Sequence, residues 1–292
     1  MSRILSLKLA RQTAEALLKE EGITDLPVDP FAIAESRDIM VQGKPEDHDG
    51  VSGMLLRHGN NFGIIYASHI PSVGFQRFSV SHELGHYFLP GHVDQVLKSG
   101  PHVSRAGFVT NDPYELEADH FAAGLLMPET PFRQAMDRYD PSLAAIEAVA
   151  ELCLTSRTAT AIRFAEFADA AVAIIVSTGD TIDYCFMSEA MKSLPKLDWL
   201  RKGWPLPRGT ATARLAVRRE AVLAGERVAD ESDVRDWLGG TTQATVSEES
   251  VGLGRYGKVL TILSSNVIGR EEDSEDDEED TLIESWTPRF RR

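Results

Sequence analysis

The stretch Phe78-Ser79-Val80-Ser81-His82-Glu83-Leu84-Gly85-His86-Tyr87-Phe88-Leu89 constrains this chain more than any other, because it sets two imidazoles four residues apart with a carboxylate beside the first. An α-helix turns once in about 3.6 residues, so His82 and His86 project from one face with Glu83 next to them. Val80, Leu84, Tyr87, Phe88 and Leu89 read as the buried part of such a helix. Gly85 leaves room for close approach by a metal or by a neighbouring backbone.

Written as a pattern, the stretch is H-E-x-x-H, in which two histidines bind zinc and the glutamate acts as general base. Zinc takes nitrogen ligands readily, and a catalytic site keeps one position open, so two histidines need one further protein ligand. A glutamate beside the ion can take a proton from water and pass it to a leaving amine. The competing reading is an amphipathic helix whose histidines face solvent or are hydrogen-bonded in the core. Context decides between them, and it comes 29 residues after His86.

There the chain reads Pro113-Tyr114-Glu115-Leu116-Glu117-Ala118-Asp119-His120-Phe121-Ala122-Ala123-Gly124-Leu125-Leu126-Met127-Pro128. Phe121, Ala122, Leu125 and Leu126 mark a buried helical face, and Pro128 is a natural stop. Glu115 and Asp119 share a face, so Glu115 can bind the metal while Asp119 accepts the second N–H of a ligand histidine and fixes its tautomer. Glu117 is the rival third ligand, although it points off that face. His120 follows Asp119 and also points away.

These two segments, with Gln76-Arg77-Phe78 before the first and Leu-Leu-Met-Pro closing the second, resemble the ImmA/IrrE family of zinc metallopeptidases. The family pattern is H-E-L-G-H followed by E-x-E-A-[DN]-x-F-A-x-x-L-L-M-P, and every fixed position is met. The resemblance runs from Leu5 to Phe167 and is densest from Arg77 to Pro128. It implies an α+β fold with a minimal zincin-like core of helices and a small antiparallel sheet. It also implies Zn2+ on His82, His86 and Glu115, and Glu83 as catalytic base. The substrate it implies is one particular protein, typically a helix-turn-helix transcriptional repressor.

The length of 292 residues allows two domains or one with a substantial appendage. We expect a zincin-like domain over 1–130, a helical extension over 131–168, a small α+β domain over 169–268 and an acidic, disordered tail over 269–292. Of the net charge of −15, Glu271 to Asp280 contribute nine carboxylates, which leaves −6 for the remainder. An acidic body argues against direct nucleic-acid binding, where a basic footprint supplies most of the affinity. Cys153 and Cys185 lack CxxC partners and read as small buried residues. No run approaches the ~18 apolar residues of a membrane span, and the start lacks the apolar stretch of a signal peptide. We therefore expect a cytoplasmic protein without a membrane anchor.

In chain order, Leu5 to Glu20 reads as an amphipathic helix, and Asp29-Pro30 opens a second through Ser36. Ile39 to Gln42 reads as a strand, Lys44 to Gly50 as a polar loop, and Val51 to Ala67 as a hairpin turning at Gly59-Asn60-Asn61. By the resemblance, one hairpin strand is the sheet edge on which an extended substrate pairs. Tyr66 reads as packed, with the scissile carbonyl as its other reach. Pro90 to Asp112 reads as a long loop that could cover the cleft, and His69, His92 and His102 are candidate oxyanion donors or solvated loop residues.

Ile146 to Arg163 resembles a helix-turn-helix, read as two helices packed in the protein, with DNA contact through Arg157 and Arg163 as the alternative. Strands follow at Ala170 to Val176, Ile182 to Phe186, Gln243 to Ser247 and Lys258 to Leu263, with a helix near Thr210 to Leu223. The reading on which these expectations converge is a zinc endopeptidase. The rivals are a non-cleaving regulator that uses the same core to bind a partner, and a DNA-binding regulator acting through 142–168.

Overall fold

Apolar spacing at Leu7, Ala10, Ala14, Leu17 and Leu18 gives α1 (Arg3–Glu20) one continuous buried face. The Asp29 side chain then accepts from the Phe31 N–H, and Pro30 starts α2 (Pro30–Ser36). The structure is a computed structural model, and it describes residues 3–44, 50–98, 100–105 and 112–266. The expected polar loop after Lys44 and the acidic tail fall largely or wholly outside the described residues.

Three strands come next: β1 (Met40–Lys44), β2 (Val51–His58) and β3 (Asn61–Ala67). They are followed by α3 (Val73–Phe88), α4 (His92–Val96), β4 (His102–Arg105), α5 (Pro113–Leu126) and α6 (Glu129–Met136). The sheet order is β1-β3-β2-β4. β2 and β3 form the expected hairpin, with His58 opposite Asn61 across a two-residue turn at Gly59-Asn60. Two features depart from the sequence reading. β1 runs parallel to β3, so the sheet is mixed and not wholly antiparallel. The edges are β1 and β4, so neither hairpin strand is free to take a substrate. The cause is β4, which emerges from the presumed loop and pairs antiparallel with β2.

The core of this first unit joins α1, α2, the sheet, α3 and α5 through Ala14, Leu17, Ile33, Leu55, Ile64, Val80, Leu84, Phe121 and Leu125. A Cβ at Gly85 would lie 3.0 Å from the Ala118 Cα, and one at Gly124 3.1 Å from the Arg11 Cα. Glycine at these two points lets α5 close on both α3 and α1.

α7 (Leu143–Cys153) and α8 (Arg157–Phe167) lead into a second unit. It continues with β5 (Ala171–Thr178), β6 (Thr181–Met187), α9 (Glu189–Lys192), α10 (Ala211–Ala216) and α11 (Arg219–Ala224). β7 (Arg227–Asp233), α12 (Val234–Leu238), β8 (Thr245–Gly252) and β9 (Lys258–Ser265) complete it. Its five-stranded antiparallel sheet has the order β6-β5-β9-β8-β7. The first compact unit comprises residues up to Ala135 with Val149–Ser156, and the second Met136–Ala148 with the chain from Arg157.

In the second unit the expected single helix near 210–223 is two, α10 and α11, and β7 is an additional strand. Its charged sequence Arg-Val-Ala-Asp-Glu-Ser-Asp suits an exposed edge and carries no alternating apolar signal. Among the described residues, no helix is long and apolar enough to cross a membrane.

Candidate active site

α3 begins where the Ser72 hydroxyl accepts from the Phe75 N–H, and it is buried almost continuously from Arg77 to His86. Ser79 and Ser81 donate to the carbonyls of Phe75 and Arg77, and the Arg77 guanidinium donates to the Val28 carbonyl. α5 opens with Asp112 accepting from the Tyr114 N–H and Pro113 in the first turn, which places Glu115 one turn from the start. The close approach at Gly85 and Ala118 then brings the two helices' functional faces together.

His82 Nε2 and His86 Nε2 lie 3.1 Å apart. Glu115 spans them, with Oε2 3.5 Å from His82 Nε2 and Oε1 3.2 Å from His86 Nε2. His102, on β4, adds a fourth donor, its Nε2 2.9 Å from Glu115 Oε1. All four ligand atoms lie within 4.8 Å of one another. A tetrahedral zinc with bonds of about 2.0–2.1 Å separates its ligand atoms by about 3.3 Å, so these separations fit the ion.

The outer nitrogens are held as well. His82 Nδ1–H donates to Asp119 Oδ1 at 2.8 Å, as the shared face of Glu115 and Asp119 predicts. His86 Nδ1 lies 3.2 Å from His92 Nδ1, and His92 Nε2–H donates to Glu117 Oε2 at 3.0 Å. A proton on His86 Nδ1 and one on His92 Nε2 make this a directed chain that leaves His86 Nε2 free as a ligand. Glu117, the rival third ligand, therefore serves His92. His92, expected as a solvated loop residue or an oxyanion donor, is buried with 1% exposure.

Glu83 is fully buried, and neither carboxylate oxygen has a hydrogen-bond partner. A Cβ on Gly53 of β2 would come within 2.5 Å of Glu83 Oε1, so glycine there makes room for the carboxylate. An orphaned buried carboxylate beside a cluster of this donor set is explained by a water or ion that it serves.

Burial disfavours charge throughout the site, and its neighbours decide the outcome. On His86 burial prevails and carries the pKa down to about 3 against the pull of Glu115. On His82 burial is overcome by hydrogen bonds to Asp119 and Glu115, which hold the ring well above its ordinary value. Burial also works to raise Glu115, but the imidazoles of His102, His82 and His86 beside it hold it far below the usual carboxylate range. On Glu83 burial prevails over the opposing pull of His82, the Ser104 hydroxyl and His102, and raises it above an ordinary glutamate.

Of the remaining candidates, Tyr66 packs edge-on against Phe31 at 5.5 Å between ring centroids. His69 lies between β3 and α3, and neither it nor His120 belongs to the four-residue cluster. The roles of His92 and His102 were not legible as such, because no helical spacing ties them to His82 and His86.

A His-His-Glu group able to hold a metal, on two packed helices beside a buried glutamate and a small sheet, defines a zincin-like core. Residues 34–164 match the family described as IrrE N-terminal-like domain, Peptidase_M78, so this segment is similar to that family. Among curated proteins no match is found. A solved structure of a Mycobacterium tuberculosis transcriptional regulator is similar in fold, with a TM-score of 0.54 at 14% identity over 88% of this chain and 76% of that one.

Proposed function

We propose that this chain is a zinc-dependent endopeptidase that hydrolyses a peptide bond in one particular cytoplasmic protein, with a helix-turn-helix transcriptional repressor as the substrate class. The observation that carries the reading is the Glu83 carboxylate, buried and unpartnered beside the His82, His86 and Glu115 donors. A zinc ion held by those three residues supplies Lewis acidity toward a peptide carbonyl and lowers the pKa of water. Glu83, with its proton affinity raised by burial, takes the proton of the attacking water and returns it to the leaving amine. Asp119 and the His92–Glu117 pair keep the ligand imidazoles in the tautomer that presents Nε2.

The test is Glu83→Gln. We expect the variant to keep its zinc and to lose cleavage by about 10²–10⁴-fold, the usual share of general acid–base catalysis. Used as a trap in its native cells, the same variant should retain its substrate for identification by mass spectrometry. Cleavage at the parent rate removes Glu83 from the mechanism. The second reading, a non-cleaving regulator on the same core, draws on the fold shared with a protein described as a transcriptional regulator. It requires partner binding that chelators leave unchanged and that yields no fragments.

A further inference from the structure

We propose that His102 is a fourth protein ligand of the metal, and that β4 is an internal strand which closes the site by lying where an extended substrate would pair. The proposal rests on the metal-centre reading above. His102 Nε2 is buried and points at the cluster, 2.9 Å from Glu115 Oε1 but out of line for a hydrogen bond. Its ring meets that of His86 edge-on, with centroids 4.4 Å apart. An imidazole nitrogen so placed, with no hydrogen bond of its own, is disposed as a ligand. With His82, His86 and Glu115 it makes a set of four protein donors, the number that fills a closed zinc site, whereas a catalytic site keeps one position for water or substrate.

The strand gives the same answer independently. β4 pairs antiparallel with β2, with Gly53 opposite Ser104, Met54 opposite Val103 and Leu55 opposite His102. Side chains alternate across a strand, so His102 and buried Ser104 share the inner face while Val103 is exposed. Without β4, β2 is the sheet edge beside Glu83, the position at which strand addition presents a peptide to such a site. With β4 in place Glu83 and His86 are wholly shielded from solvent. One displacement of β4 therefore frees a metal coordination position, uncovers Glu83 and exposes the pairing edge of β2. The described conformation is the latent one.

The test uses the full-length protein. X-ray absorption of the zinc-loaded parent counts the imidazoles on the metal, three if His102 binds and two if it does not. Co2+ substitution should give the intense visible band of a four-coordinate ion, unmoved by acetohydroxamic acid. His102→Ala should bind Zn2+ at least about tenfold more weakly in competition with a chromophoric chelator, and its Co2+ spectrum should respond to the hydroxamate. Val103→Pro, which leaves the ligands intact and disrupts the β2–β4 ladder, should gain the same response.

Two imidazoles on the metal, or a His102→Ala protein with parental zinc affinity and spectrum, overturn the proposal. If zinc affinity is parental but peptide cleavage falls, His102 is an oxyanion donor and the proposal again fails. A parent that binds no zinc at all defeats the underlying metal-centre reading instead.

Discussion

Glu117 stands two residues from Glu115 on the same helix, and the two carboxylates have opposite surroundings. Glu115 meets three imidazoles, whereas Glu117 accepts a hydrogen bond from His92 and so acts on His86 from behind. Asp119 does for His82 what the His92–Glu117 pair does for His86. Outer partners of this kind commonly contribute about 10–100-fold to metal affinity. Asp119→Ala should therefore weaken Zn2+ binding by that range while the fold is kept, as measured by chelator competition. An unchanged affinity would mean that packing alone orients His82.

The cysteines offer a second check at the same scale. Burial pushes both Cys153 and Cys185 up to about 12, the former despite nearby Arg77, and both are free thiols, Cys153 buried and Cys185 half-buried. At pH 8 a thiol of that pKa is thiolate only to about one part in 10⁴, so iodoacetamide should leave both unmodified in the native protein and alkylate both in denaturant. Rapid labelling of either native residue, read by mass spectrometry, would contradict the burial.

Helix packing at glycine explains how the site is assembled, and it predicts two substitutions with different outcomes. At Gly85 an added Cβ meets the backbone of Ala118 at 3.0 Å, and a backbone in a packed helix has little room to retreat. Gly85→Val should cost about 1–3 kcal/mol by overpacking, seen as a lowered melting temperature, and should weaken metal binding by parting α3 from α5. At Gly53 the atom met is Glu83 Oε1, the end of a flexible side chain. Gly53→Ala should therefore leave the melting temperature close to that of the parent. It should lower cleavage by up to about 10²-fold, because a shift of roughly 1 Å in a catalytic group has that effect. Equal loss of stability in both variants would refute the distinction.

The elements that bear these glycines were readable because their signals are local. The four-residue spacing on α3, the Asp29-Pro30 cap and the apolar stripe of α1 each lie within one or two turns. β4 was not readable, because four residues with one buried polar side chain show no periodicity and acquire meaning only from pairing with β2. The place of His102 beside His82, His86 and Glu115 was not readable either, since it rests on contacts with residues far away in the chain.

Charge is the property of the whole molecule that most directly limits its partners. With 30 basic against 45 acidic residues, the chain lacks the excess of cations that drives counterion release from DNA. The basic residues of the helix-turn-helix-like segment are also engaged within the protein. Arg157 Nε lies 3.0 Å from Glu147, which Arg227 also reaches at 2.6 Å. Arg163 is buried, pairs with Glu166 at 2.9 Å and stacks its guanidinium 4.2 Å from the centre of the Phe167 ring. Recognition of a groove needs several exposed cations and polar side chains on one helix face, and α8 instead uses Arg163 to fasten itself. The purified protein should therefore leave duplex DNA unshifted in a gel-retardation assay at about 150 mM salt, where even non-specific binders reach about 10⁻⁴–10⁻⁶ M. Arg157→Ala should make no difference to that result. Retention of duplex at micromolar protein, lost on raising salt and lost again in Arg157→Ala, would instead place this segment on DNA and move the zincin-like core from effector to sensor.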